Sequence, residues 1–84
     1  MWYIYILLLR NKNLYTGFTN DLRRRIAEHK RGKVESTRHI FPIKLIYYEA
    51  YILESDAIRR EKFLKTTEGK RLLRQQIRDL LNDI

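Results

Sequence analysis

Eighty-four residues with a net charge of +8 and no cysteine exclude a multidomain enzyme, a disulfide-stapled secreted module and a cysteine-based zinc site. At 44% hydrophobic and 12% aromatic residues the chain carries enough apolar material for a core, which excludes a disordered tail and predicts one small domain over 1–84. Eighteen Lys and Arg against ten Asp and Glu, with an isoelectric point near 10.1, point to a polyanionic partner, nucleic acid above all. The plainer alternative is a solvated basic surface that keeps a small protein in solution.

Trp2–Leu9 is aromatic, β-branched and apolar on both faces, the pattern of a buried central strand. It is too short to cross a bilayer, which takes about 20 helical residues, and it lacks the flanks of a secretory signal, so the expectation is a soluble protein without a membrane role. Asn11-Lys12-Asn13 breaks the run and Leu14–Phe18 returns as a second strand. A three-residue loop with Asn13 in the left-handed region would pair Arg10 with Leu14 and put Tyr5 and Tyr15 on one face. Thr19-Asn20-Asp21 supplies cap chemistry for a helix over about Asp21–Lys30, ended by Gly32. Leu22, Ile26 and His29 form its apolar stripe, bordered by Arg25.

Lys33–Ile40 reads as a polar loop in which Ser36, Thr37 and Arg38 are placed to meet phosphate. After Pro42, Ile43–Leu53 reads as a third strand, with Ile43, Leu45, Tyr47 and Leu53 on one face and Ile46, Tyr48 and Ile52 on the other. Ser55 is the expected N-cap of a helix over Asp56–Lys65, with Asp56 complementing the helix start. Gly69 interrupts the helical pattern, and a last helix runs from about Lys70, with Leu73, Ile77, Leu80, Leu81 and Ile84 on one face. The architecture expected is α/β or α+β: a small, mainly antiparallel sheet backed by helices.

Several side chains carry chemistry. Glu61 falls on the inward side of its helix between Ala57, Ile58 and Leu64, where a carboxylate must be paired or hold a metal. A salt bridge to Arg25 or a nearby lysine and a metal site are both open on periodicity alone. Arg25 leans towards the apolar stripe, where its planar fork can meet a phosphate, whereas Arg23 and Arg24 point outward as a solvated face would. His29, one turn on, is by type more often a satisfied core residue than a catalyst. Tyr5 and Tyr15 have an ordinary pKa near 10, so either acting as a base needs nearby cations to depress it, which the basic setting would supply. Gly17 in a strand implies a bulge or a close approach by a ligand. Two histidines, His29 and His39, are too few for a metal cage.

Taken in order, Tyr3-Ile4-Tyr5, Tyr15-Thr16-Gly17, the cap Phe18-Thr19-Asn20-Asp21-Leu22, Arg25-Ile26, His29, and Ala57 through Glu61 to Lys65 closely resemble the GIY-YIG nuclease superfamily. The resemblance covers nearly the whole chain and is nearest to small bacterial members related to the incision subunit of nucleotide excision repair. It implies a three-stranded antiparallel sheet flanked by helices and metal-dependent cleavage of DNA, in a cytoplasmic, nucleoid-associated setting and in the service of DNA repair. By position it assigns Tyr5 and Tyr15 as the motif tyrosines, Arg25 as the essential arginine, His29 as the histidine one turn later, and Glu61 as the single ligand of a divalent ion, Mg²⁺ or Mn²⁺. Arg23, Arg24, Lys30, Arg38, Lys62 and Lys65 are then the cations that would hold DNA, in branched, damaged or single-stranded form. The residues leave open which tyrosine is the base.

Three departures accompany the resemblance: Tyr3 stands where the family name has glycine, Phe18 follows Gly17 where some relatives have lysine, and no asparagine near the domain end has an obvious match. They keep open a second function, a catalytically weak nucleic-acid-binding module or one that recruits a protein partner, or a second copy, through its C-terminal helix.

Overall fold

A computed structural model describes all of residues 1–84. Strand β1 is Trp2–Leu8, β2 is Leu14–Thr19 and β3 is Lys44–Tyr51, forming one antiparallel sheet in the order β2-β1-β3. Helix α1 is Leu22–Lys30, α2 is Glu54–Leu64, α3 is Thr67–Gln76 and α4 is Arg78–Asp83. The expected three-stranded antiparallel α+β architecture is the one observed.

The all-apolar β1 is central because both of its faces are covered. Ile4 and Ile6 join Ala57, Leu64, Leu73 and Ile77 in a core beneath α2 and α3. Tyr5, Leu7 and Leu9 form a second core on the opposite face with Tyr15, Leu22, Ile26, Ile40, Ile43 and Leu45. Burying a side chain such as Ile4 or Ile6 completely contributes about 1.5–3 kcal/mol each, so this strand anchors both layers.

The hairpin differs from expectation in its turn. Lys12, not Asn13, takes positive φ (71°), and Leu8 rather than Arg10 pairs with Leu14. Hydrogen bonds Lys12 N–H to Leu9 O and Leu9 N–H to Asn13 O, both 2.9 Å, close the longer loop, while Asn13 donates its own N–H to Asn11 Oδ1. The pairing moves by two residues, so each side chain keeps its face, and Tyr5 and Tyr15 share one as the parity requires.

In β3 strict alternation fails. The register against β1 shifts between Ile6 and Leu7, so Tyr47 pairs with Ile6 and Leu45 with Leu7. The extra residue of this bulge is Ile46, and it sends Leu45 to the α1 face and Tyr47 to the α2 face, although two-residue spacing had put them together. The strand also ends at Tyr51, before Leu53.

Asp21 caps α1 as expected, its Oδ1 accepting Arg24 N–H at 3.1 Å, and Gly32 follows at φ 72°. Ser55 is not a cap: α2 starts one residue earlier, after Leu53, which offers no side-chain bond, and Glu54 and Asp56 in the first turn answer the helix dipole instead. Gly69 does not interrupt a helix. Thr66 caps α3 by accepting Gly69 N–H at 3.0 Å, and a Cβ on Gly69 would run into the Phe63 carbonyl where α2 and α3 meet. The real break comes at Ile77, between α3 and α4. Leu73, Ile77, Leu80 and Leu81 all pack on the core, so most of the apolar face offered for a partner is occupied within the chain, leaving Leu72 and Ile84 exposed. No helix is long and apolar enough to cross a membrane.

Candidate active site

The α1 face of the hairpin carries three aromatic rings in mutual contact. Ring centroids are 6.4 Å apart for Tyr5 and Tyr15, 5.5 Å for Tyr5 and His29, and 5.2 Å for Tyr15 and His29, with the imidazole edge-on to both phenols. Gly17 lies directly across from Tyr5 in the ladder. A Cβ there would strike the Tyr5 ring and hydroxyl, so Gly17 is small because Tyr5 lies over it. The β1–β2 register runs without a bulge, which removes the bulge offered by the sequence as an explanation for this glycine.

His29, fully buried, bridges two groups: Nε2 is 2.8 Å from Tyr5 Oη and Nδ1 is 2.7 Å from Thr37 Oγ1. Burial first, and then the charge of Arg25, pull its pKa from 6.5 down to about 4 against a smaller upward push from Glu28. It is therefore neutral at pH 7, with one ring nitrogen donating and the other accepting. Either Tyr5 donates into Nε2 and Nδ1–H donates to Thr37, or the whole chain of hydrogen bonds runs the other way. Thr37 is itself fully buried, so the loop residue read as a phosphate contact instead locks the imidazole.

Tyr5 is 1% exposed, and burial pushes its hydroxyl from 10.0 up to about 12. The Arg25 guanidinium beside that hydroxyl pulls it down, but Tyr15 and Glu61 push it up and burial prevails. The expectation that the basic setting depresses a tyrosine pKa thus fails at Tyr5, because desolvation of a phenolate exceeds what one partly exposed arginine returns. Tyr15 is half-buried, and its hydroxyl accepts a hydrogen bond from Ser36 Oγ at 3.3 Å.

Arg25 keeps its place beside Tyr5 through an ion pair with Glu28 at 3.0 Å, while Arg24 approaches the same carboxylate at 3.8 Å. Glu61 comes from α2, which packs on the other side of the sheet and contacts both β1 and β2. It is close enough to Tyr5 for its charge to be felt there, and its carboxylate pairs with Lys65 at 3.2 Å rather than with Arg25. Of the two salt-bridge partners expected for it, Lys65 is the one present. That pair joins side chains 23% and 56% exposed, the kind worth about 0.3–0.5 kcal/mol, too little to account for a half-buried carboxylate at this position.

The remaining cations divide. Arg24, Arg38 and Lys65 face carboxylates, Arg38 at 3.4 Å from Glu35, whereas Arg23, Lys30 and Lys62 are exposed with no acidic partner. His39 lies outside the cluster, accepting from Arg38 Nε at 3.1 Å. Phe18 stacks on Trp2, with centroids 5.6 Å apart, on the face away from the tyrosines. The sequence reading missed Glu49, which accepts Tyr47 Oη at 2.7 Å and Tyr51 Oη at 2.8 Å and takes two bonds from Arg60 at 2.9 and 3.0 Å. Its alternation with two tyrosines in β3 was the one available signal.

Tyr5 and Tyr15 on a hairpin and Arg25 on the helix that follows it make a cluster of two phenols and one cation, and the charge of Glu61, on a helix behind the sheet, is felt at Tyr5. An arginine fork is chemically suited to a phosphate and a carboxylate to a hard cation. The chain belongs to the GIY-YIG family, whose catalytic-domain model matches residues 1–75. It is 41% identical over 64 residues to UPF0213 proteins of Streptococcus pyogenes serotypes M5 and M2, covering 75% of this chain and 70% of each relative. A UPF0213 protein of Bacillus halodurans, solved by NMR in solution, shares its fold with a TM-score of 0.59 and 34% identity, over 90% of this chain and 85% of that one.

Proposed function

We propose that the chain is a divalent-metal-dependent endonuclease that hydrolyses phosphodiester bonds in DNA with little sequence preference of its own. One observation carries the reading: Tyr5 on β1 lies against the Tyr15 ring and beside the Arg25 guanidinium and feels the charge of Glu61 on α2, and a binding module needs no half-buried Glu61.

The donor set is compatible with a hard cation. No three His, Cys, Asp or Glu side chains come together, so an ion held by Glu61 would take its other ligands from water and phosphate oxygens, the mode that suits Mg²⁺ and also Mn²⁺. Such an ion would polarise the scissile phosphate. Arg25 is placed to hold the charge that builds on the phosphate oxygens. Tyr15 is the phenol with access to the surface, and we assign it the contact with the attacking water. Tyr5, buried and tied to His29, positions Arg25 and the Tyr15 ring and is a positioning residue.

Exposed cations without acidic partners would add sequence-independent phosphate contacts. The test is nicking of single-stranded, duplex, flapped and branched DNA with and without divalent ion, alongside Glu61→Gln. The Glu61–Lys65 pair favours a second reading, a non-cleaving binding module. Metal-independent binding without any nicking by the wild-type chain would select it.

A further inference from the structure

The largest cavity of the molecule, about 620 Å³, is not at the tyrosine cluster: Tyr5, Tyr15, Arg25 and Glu61 line none of it. It lies on the same face of the sheet but towards β3, with Tyr3, Tyr48 and Leu45 as its floor and Ile26, Arg23 and Lys30 of α1 beside them. Its volume is within the range of about 300–1,000 Å³ typical of small-ligand sites. Tyr48 sits opposite Tyr5 in the β1–β3 ladder, and Tyr3 meets it edge-on with centroids 6.2 Å apart and the rings at 62°. Tyr48 is nonetheless 53% exposed, an aromatic surface without a partner on its open side.

Arg23 and Lys30 are seven residues apart on α1, hence on one side of the helix and separated by about 10 Å along its axis. Both are exposed and neither meets a carboxylate, in contrast to Arg24 and Arg25, which share Glu28. Asp21 also borders the cavity, but its Oδ1 is engaged by Arg24 N–H at the helix start.

We propose that this groove holds one unpaired nucleotide of a DNA strand, its base stacked on Tyr48 and its flanking phosphates on Arg23 and Lys30. An exposed aromatic ring beside two free cations is the combination that binds single strands. A base within a duplex is stacked on both faces and cannot reach the floor, so the groove selects DNA with an unpaired segment. An apolar ligand would leave the two cations without a role, and an acidic peptide would leave the aromatic floor without one. The inference rests on the nucleic-acid part of the proposed function and narrows its substrate to DNA carrying a single-stranded stretch beside the cleaved bond.

The test is fluorescence anisotropy of the wild-type chain, in chelator, on a short oligothymidine and on a blunt duplex of equal length. Tyr48→Ala is expected to weaken single-strand binding about ten-fold or more while leaving duplex binding within about two-fold, and Tyr48→Phe to restore it. The paired change Arg23→Gln with Lys30→Gln is expected to flatten the single-strand salt slope by about 1.4. An oligomer carrying one unpaired 2-aminopurine is expected to lose fluorescence on binding the wild-type chain, which needs no variant to fold. Unaltered single-strand affinity in Tyr48→Ala, or unquenched 2-aminopurine at saturation, overturns the inference. Tyr48-dependent binding in a chain that never nicks DNA keeps it and removes the nuclease reading. Nicking by a chain whose binding ignores Tyr48 does the reverse.

Discussion

His29 has the environment of a structural histidine beside the proposed site, and its burial makes a demand on pH. Its pKa in the fold, about 4, lies below the ordinary 6.5, so as pH falls the unfolded chain takes up the proton first. The stabilisation is complete above pH 6.5 and is lost progressively towards pH 4, by up to about 3 kcal/mol. Urea unfolding at a series of pH values should show this loss, and His29→Gln should remove most of the pH dependence in that window. A wild-type stability unchanged between pH 6.5 and 4 would mean that the imidazole is not held neutral. Gly17 makes a second demand at this scale. Gly17→Ala must displace the Tyr5 ring, at a cost of about 1–3 kcal/mol from overpacking, and should lower both melting temperature and any cleavage rate. A neutral Gly17→Ala would contradict the packing described.

Among the elements, the β3–α2 junction depends on a group that periodicity did not single out. Burial alone would raise the Glu49 pKa, but hydrogen bonds from Arg60, Tyr47 and Tyr51 together hold it below 4.5. This contribution is present above pH 4.5 and is lost as pH falls through the depressed value, so it adds to the acid sensitivity set by His29 at a lower pH. Arg60→Met leaves a largely buried carboxylate without its cation and should cost about 2 kcal/mol, measured by denaturant midpoint at neutral pH. A change below about 0.5 kcal/mol would show the pair to behave as an ordinary surface bridge.

The strands and helices were legible because the apolar run of β1, the Asp21 cap and the stripe of α3 obey simple periods. What the sequence concealed was local. The bulge at Ile46 reversed the parity of Leu45 against Tyr47, Lys12 took the left-handed turn position between two asparagines, and acidic residues in the first turn moved the α2 start ahead of Ser55. Each is set by tertiary pairing or by competition among adequate caps, which spacing along one chain does not encode. The residues proposed for the site, Tyr5, Tyr15, Arg25 and Glu61, came to notice through their order along the chain alone. Thr37 was not, because a loop threonine carries no sign that it will close over a buried imidazole.

Across the whole molecule, the +8 charge and the free cations Arg23, Lys30 and Lys62 make DNA binding an electrostatic event. Affinity for duplex DNA should fall steeply and log-linearly with salt, and affinity indifferent to salt would contradict a phosphate-tracking surface. The same charge does not explain Glu61, which would repel a phosphate bound at the proposed site unless a cation lay between them. Metal-dependent cleavage therefore depends on that carboxylate. The most direct measurement is the rate of DNA nicking by the wild-type chain and by Glu61→Gln, in Mg²⁺ or Mn²⁺ and in chelator, with binding and melting temperature recorded for both. The expected result is nicking by the wild-type chain only with divalent ion and none by Glu61→Gln, whose DNA affinity stays equal or rises and whose melting temperature scarcely changes. Unchanged metal-dependent nicking by Glu61→Gln would contradict it.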